Sequence, residues 1–273
     1  MSTTENLPNQ EASVTFEQFR KILEILLPKN GRPVVAYAGV WSIAKAFQVP
    51  PRKVVKNIYE ILLQVVGVER TLLMPCYTQG FKNGVIDLDQ ELGTTGVINE
   101  MLRKHPDSRR TISAFFSFAA LGPQAKEVSE LKPLNAWGEN SLFEWIERHD
   151  SHILTIGEPW RMCSFLHRLE WLAQVPYRYS KSFTGEFIRD AQRHALTERL
   201  FVRHLDPLVK NTWPGLEGIL RKGGMRSFPL GVRQIAEIGA RAMIDSLMPI
   251  IEKDPFAFVQ TPDKIRTFFQ SRS

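Results

Sequence analysis

Pro33-Val34-Val35-Ala36-Tyr37-Ala38-Gly39 is a short apolar run closed by glycine, the pattern of a strand buried on both faces. Thr71-Leu72-Leu73-Met74 has the same character, and between the two lies Pro51 to Val65, a helical pattern opened by proline. A strand, a helix of about four turns and a second strand define a βαβ unit, so part of the sheet is expected to be parallel. His152-Ile153-Leu154-Thr155-Ile156-Gly157 reads as a third buried strand, running through a loop into a helix that carries Ser164 to Trp171. Upstream, Thr15 stands as an N-cap with Gln18 three positions on. Phe16, Phe19, Ile22, Leu23 and Leu26 then follow at helical spacing until Pro28.

Beyond residue 176 the period shortens. Tyr177, Tyr179 and Phe183, then Phe201-Val202, suggest antiparallel strands up to about Arg203, and Ile235 to Met248 is expected to close as a helix. The fold class that results is α/β with α+β character. A central mixed sheet has a βαβ-containing N-terminal portion, a partly antiparallel C-terminal portion, and helices on both faces. Residues 1–13 are polar and expected to be disordered, and residues 14–273 to form one domain with a cleft between its two portions.

The 273 residues are 43% hydrophobic and 23% charged, enough apolar material for a sizeable core. No apolar run approaches the roughly 18 to 20 residues of a membrane span, and Met1-Ser2-Thr3-Thr4-Glu5-Asn6 lacks the order of a signal peptide. A cytoplasmic location is the expectation. Two cysteines, Cys76 and Cys163, are too few for a disulfide framework or a four-ligand zinc site, and no metal is expected. The net charge of +6 suits an anionic partner, but Arg52-Lys53, Arg109-Arg110 and Arg221-Lys222 are scattered. Without basic residues interleaved with aromatic ones, nucleic acid is not expected as a partner.

Chemistry concentrates in the loops that follow the strands, where α/β sheets bind ligands. Met74-Pro75-Cys76-Tyr77-Thr78 follows the second strand. Arg110 to Gly122 mixes hydroxyls with aromatics, and Trp137-Gly138-Glu139-Asn140-Ser141 opens a helix. Each also reads as a purely structural turn, strand or cap. In Ser164-Phe165-Leu166-His167-Arg168-Leu169-Glu170-Trp171, His167 and Glu170 are three apart and share a helix face. A carboxylate beside an imidazole fixes its tautomer, as a general base requires. A Cys–His nucleophilic pair is the alternative, because Cys76 lies in a site loop and Cys163 is four residues before His167.

Taken in order, several segments closely resemble the aminoglycoside 3-N-acetyltransferase family over about residues 15 to 260. They are Met74-Pro75-x-Tyr77-Thr78, Thr95-Gly96, Arg110-Thr111, Ser117-Phe118-Ala119-Ala120-Leu121-Gly122, Gly138-x-x-Ser141, the Gly157-ended strand, Ser164-x-Leu166-His167-x-x-Glu170 and Val175-Pro176-Tyr177-Arg178. The resemblance implies an N-acyltransferase that takes acetyl-CoA or another acyl-CoA as donor and moves the acyl group directly to an amino sugar. The acceptor would be an aminoglycoside or a nucleotide- or polysaccharide-linked sugar. The expected partners are that CoA thioester and the small amine, with a homodimer allowed.

The resemblance also implies His167 as base and Glu170 as its orienter. It implies Tyr37, Cys76, Thr78, Arg110, Thr111, Ser113, Ser117 and Ser141 as cofactor contacts, with Thr94 or Thr95 weaker. Tyr77, Arg161, Arg178 and Lys181 would meet the acceptor. Two loops depart from the family pattern, and they leave as an alternative a non-catalytic relative that keeps the fold as a binding module. Tyr37-Ala38-Gly39 replaces a His-Ser-Ser type sequence, and Arg110-Thr111-Ile112-Ser113-Ala114 replaces Arg-Ser-x-His-Pro. Polycations need a carboxylate-lined cleft, so an anionic, phosphate-bearing amino sugar suits this basic chain better, with Arg168 as a further phosphate partner.

Overall fold

The computed structural model describes residues 13–78, 81–205 and 208–271. Residues 1–12 of the expected disordered segment lie outside that range. Helix α1 (Phe16–Leu26) starts as its residues dictate: the Thr15 hydroxyl accepts from the Gln18 amide while the Gln18 side chain accepts from the Thr15 amide. Strand β1 (Val34–Ala38) is buried along its whole length, α2 (Pro51–Val66) follows, and β2 (Leu72–Pro75) returns parallel to β1. This is the expected βαβ unit. Gly67, at φ +72, ends α2 in the left-handed region that glycine tolerates.

Next come β3 (Val85–Asp87), α3 (Val97–Arg103), β4 (Arg109–Arg110), β5 (Phe118–Leu121), α4 (Ala125–Ser129) and α5 (Leu142–Arg148). Strand β6 (His152–Ile156) leads into α6 (Leu166–Leu172). The long hairpin β7 (Arg178–Arg189) and β8 (Gln192–Arg203) precedes α7 (Leu216–Lys222), β9 (Arg226–Leu230), β10 (Arg233–Gly239), α8 (Ala240–Lys253) and α9 (Pro262–Gln270). The main sheet has the order β4-β5-β2-β1-β6-β10-β9, and β3-β7-β8 form a second, smaller one. The parallel trio β2-β1-β6 is thus flanked on both sides by antiparallel neighbours, a mixed sheet.

Side-chain alternation along β1 divides the core between the two faces of the main sheet. Val34, Ala36 and Ala38 join Leu23, Ile58, Leu62 and Leu102 from α1, α2 and α3, whereas Val35 and Tyr37 join Trp145, Leu169 and Met243 from α5, α6 and α8. One expectation is corrected here. Residues 235–239 belong to strand β10, inserted between β6 and β9, and the helix begins only at Ala240. Ile235-Ala236-Glu237-Ile238 is a short apolar run whose periodicity fits either structure. Pairing on both edges decides for strand, and Gly239 caps the helix that follows. The carboxyl ends of β1, β2 and β6 point the same way, so the segments after Ala38, Pro75 and Ile156 gather at one rim of the sheet beside the start of the β7–β8 hairpin.

Candidate active site

Helix α6 is anchored by Leu166 and Leu169, which enter the core, and this turns the i, i+3 pair of His167 and Glu170 to a common side. Glu170 is fully buried and His167 partly exposed at the cleft. The His167 Nδ1–Glu170 Oε2 distance is 2.6 Å. An ionised carboxylate only accepts, so this short contact favours the proton on Nδ1 and leaves Nε2 as the basic nitrogen, although the donor-only Arg178 guanidinium also lies 3.2 Å from Nδ1. Trp137 and Phe116 fix the ring edge to face, with centroids 5.6 Å and 6.4 Å from the imidazole.

A buried carboxylate survives only with full compensation. Glu170 has it: the Arg178 guanidinium lies 2.9 Å from Oε2, while the Tyr177 hydroxyl and Asn211 Nδ2 donate to Oε1 at 2.9 Å and 2.7 Å. Burial alone raises the Glu170 pKa, but Arg178 and His167 together hold it at about 2. For His167 the largest effect is burial, which with the nearby Arg178 and Arg203 cations outweighs Glu170 and lowers its pKa below the ordinary histidine value. Neutral His167 beside an ionised, immobilised Glu170 is therefore the resting state near pH 7.

The cleft in front of His167 has a volume of about 700 Å³ and lies between the rim of the main sheet and the β7–β8 hairpin. Of the residues expected from sequence, it brings together His167, Tyr77, Thr78, Thr94, Arg161, Arg178 and Lys181. Most expected cofactor contacts lie behind this lining with their polar groups already engaged. Arg110, 7% exposed, donates to the Ser117 hydroxyl and to the carbonyls of Leu88, Glu91 and Cys76. Ser117 donates to the Cys76 carbonyl, and Thr111 Oγ1 accepts from the Phe118 amide. Ser113 donates to buried Glu198, and Ser141 caps α5 by accepting from the Glu144 amide. These groups brace the loops that shape the cleft without facing it, because a turn residue and a ligand contact look alike in sequence. Tyr37 is likewise enclosed, its hydroxyl 3.0 Å from Ser164 Oγ, and Tyr77 bonds the same serine from the cleft side. Arg168 turns away to Glu147 and the Trp137 carbonyl.

The cysteines do not form the alternative nucleophilic pair. Cys76 is fully enclosed beside the carbonyls of Met74 and Asn99, and burial pushes its thiol up to about 11. Burial raises Cys163, which packs beside Tyr37, to about 12. Neither is a thiolate near neutrality. Iodoacetamide is expected to leave both unmodified in the native protein at pH 8 and to label both in guanidinium chloride, and acetyl-CoA alone is expected to add no mass. An acetylated Cys76 peptide would contradict this.

Two positions of this site carry little sequence signal. Asn211 is a single loop residue far along the chain from Glu170, and Arg203 lies at the end of a strand whose apolar neighbours drew the reading. Arg203 is recognisable only from the register that sets it opposite Arg178.

The family model described as "Aminoglycoside 3-N-acetyltransferase" matches residues 44–252, and the chain belongs to that family. Aminoglycoside N(3)-acetyltransferase III of Serratia marcescens is 34% identical over 82 residues, covering 30% of this chain and 30% of that protein. Aminoglycoside N(3)-acetyltransferase IX of Micromonospora chalcea is 25% identical over 159 residues, covering 50% of this chain and 57% of that protein. The chain thus matches less than two thirds of the length of either relative. The solved structure "AAC-IIIb binary with CoASH" shares the fold at a TM-score of 0.71 and 19% identity, covering 89% of this chain and 97% of that one. Among the described residues there is no cluster suited to a metal ion and no helix long and apolar enough to cross a membrane.

Proposed function

We propose that this protein is an acyl-CoA-dependent N-acyltransferase that acylates an amino group of an amino sugar by direct transfer, with His167 as general base and Glu170 as its positioning residue. The observation that carries the reading is His167 at the cleft wall, with its Nδ1 2.6 Å from the fully buried Glu170 carboxylate. Family membership and the CoA-bound structure of similar fold support a CoA thioester as donor. The cleft supports it as well. Its volume of about 700 Å³ lies within the roughly 300–1,000 Å³ of ordinary ligand sites, and aromatic walls meet cationic residues there. The thioester supplies an activated acyl carbon. The acceptor nitrogen attacks that carbon and gives a proton to His167 Nε2; the C–S bond breaks, and His167 returns the proton to the departing thiolate. Glu170 stays ionised and stabilises the imidazolium that forms between the two transfers.

Thiol release from acetyl-CoA in the presence of a panel of amines tests the reading, with calorimetric titration of CoA beside it. Saturable CoA binding and amine-dependent release are expected; no CoA binding at millimolar concentration would contradict it. The pH dependence follows from the sign of the shift. Only neutral His167 accepts a proton, and its pKa is lowered, so activity is expected to be full at neutral pH and to fall only below the ordinary histidine value of about 6.5. A weakly basic acceptor, unprotonated throughout, isolates this limb in kcat/KM. A limb centred above pH 7 in that assay would contradict a neutral resting imidazole.

A further inference from the structure

Three hydroxyls form a chain from the core to the cleft. Tyr37 Oη lies 3.0 Å from Ser164 Oγ, and Tyr77 Oη bonds the same Ser164 Oγ. Tyr37 and Ser164 are buried, whereas Tyr77 is half-buried and lines the cleft together with His167. The chain and the base stand on one turn of backbone, because the His167 amide donates to the Ser164 carbonyl at 3.0 Å. Phe116 packs edge to face against both rings, with its centroid 5.1 Å from that of Tyr77 and 6.4 Å from that of His167. Tyr77 is held firmly: its ring meets Phe118 edge to face at 5.6 Å, and its carbonyl accepts from both the amide and the hydroxyl of Thr94.

The supply of O–H donors singles out the Tyr77 hydroxyl. On the same wall, Thr78 donates to the Ala114 carbonyl at 2.9 Å and Thr94 to the Tyr77 carbonyl at 3.1 Å, so both of those hydrogens are engaged. The hydroxyl chain is different. Each of its three members carries one O–H, and the two contacts use two of them, which leaves the third at one end. With donation running from Tyr37 to Ser164 to Tyr77, the spare O–H is at Tyr77, on the cleft side. With the opposite order it is at Tyr37, enclosed beside Cys163. Reversal needs only rotation of hydroxyls, so a strong acceptor in the cleft selects the first order, and the two bonds behind Tyr77 polarise its O–H further. Burial raises Tyr77 above the ordinary phenol pKa, so it stays protonated and able to donate.

Acyl transfer creates such an acceptor. Attack of the amine on the thioester carbon turns the carbonyl oxygen into an oxyanion, which donors already in place stabilise. We propose that Tyr77 is a further catalytic residue, whose hydroxyl, backed by Ser164 and Tyr37, donates to that oxygen while His167 takes the proton of the amine. The C–N bond forms as the C=O bond opens to the oxyanion. When the C–S bond breaks, the carbonyl forms again, and the Tyr77 proton stays on the phenol throughout. This role rests on the acyl-transfer reading and goes beyond the acceptor contact that the family resemblance implies for Tyr77.

Tyr77→Phe keeps the ring and removes the donor. Thiol-release kinetics are expected to show kcat lowered by about 10²–10³-fold, the usual loss for one such donor, while calorimetric titration shows CoA affinity unchanged. Ser164→Ala and Tyr37→Phe leave the Tyr77 hydroxyl in place and remove its backing, so smaller losses of kcat are expected, in that order. A chain that merely braces the core predicts another ranking, in which losses of rate follow losses of melting temperature and are largest at the buried Tyr37 and Ser164. That ranking, a Tyr77→Phe rate within a few-fold of the parent, or a loss confined to CoA affinity would overturn the donor role. If Tyr77→Phe does not fold, Ser164→Ala decides: a reduced kcat at unchanged CoA affinity and melting temperature upholds the chain, and an unchanged kcat overturns it. Turnover by the parent with all three variants equally active removes this role and keeps the acyl-transfer reading. A parent that binds CoA and releases no thiol with any amine removes both.

Discussion

His167→Gln is expected to lower kcat by about two to four orders of magnitude, the usual contribution of a positioned general base. Affinity for CoA should change little, because glutamine keeps the bulk of the ring's neighbourhood while it cannot take a proton. The loss is specific for a reason visible in the site. Nδ1 is held 2.6 Å from Glu170, Trp137 and Phe116 confine the ring, and no other histidine is among the described lining residues of the cleft. Residual turnover above the uncatalysed rate is expected from positioning of the two substrates. Thiol-release kinetics and a melting curve on the same preparation check this. A variant that folds normally and retains a rate within a few-fold of the parent would remove His167 from the mechanism.

Glu170→Ala is expected to damage both stability and activity. Arg178, with its side chain 7% exposed, would lose its counter-charge, and the Tyr177 hydroxyl and Asn211 amide would lose their shared acceptor. Breaking one partner of a buried pair costs about 3–5 kcal/mol. For a chain of this size each kcal/mol shifts the melting temperature by roughly 2–4 °C, so a fall of about 6 °C or more is expected. Pairing the change with Arg178→Met should recover part of the loss, since the orphaned cation then disappears as well. His167 would also lose the acceptor that selects its Nδ1–H form, so activity should fall even at temperatures where the variant is folded. Thermal denaturation of the two variants, read beside their rates, checks the account. A melting temperature unchanged in Glu170→Ala would mean that Glu170 does not organise this site.

The parts of the fold that could be read in the chain are those where local pattern and tertiary environment agree. The run from Pro33 to Gly39 is buried on both faces, and the Thr15–Gln18 box closes as its residues require. The His167–Glu170 spacing worked for the same reason, because helical geometry alone brings i and i+3 together. Ile235 to Ile238 is ambiguous in sequence because its structure depends on pairing with β9 in the adjoining hairpin and with β6, which is remote in sequence from that run. The loop hydroxyls were legible as polar and not as ligand-facing. Arg110, Ser113, Ser117 and Ser141 satisfy backbone and carboxylate partners that sequence order does not reveal. Arg203 and Asn211 enter the site through strand register and loop packing, which only the folded chain defines.

The protonation state of one ring is central to all of this. Long-range proton–nitrogen NMR of the histidine side chains, with His167 assigned from the His167→Gln variant and recorded from pH 5 to 8, observes it directly. The account predicts a neutral imidazole at pH 7 with its proton on Nδ1, an unprotonated Nε2, and titration below the ordinary value of about 6.5. A proton found on Nε2, or an imidazolium persisting above pH 7, would contradict it.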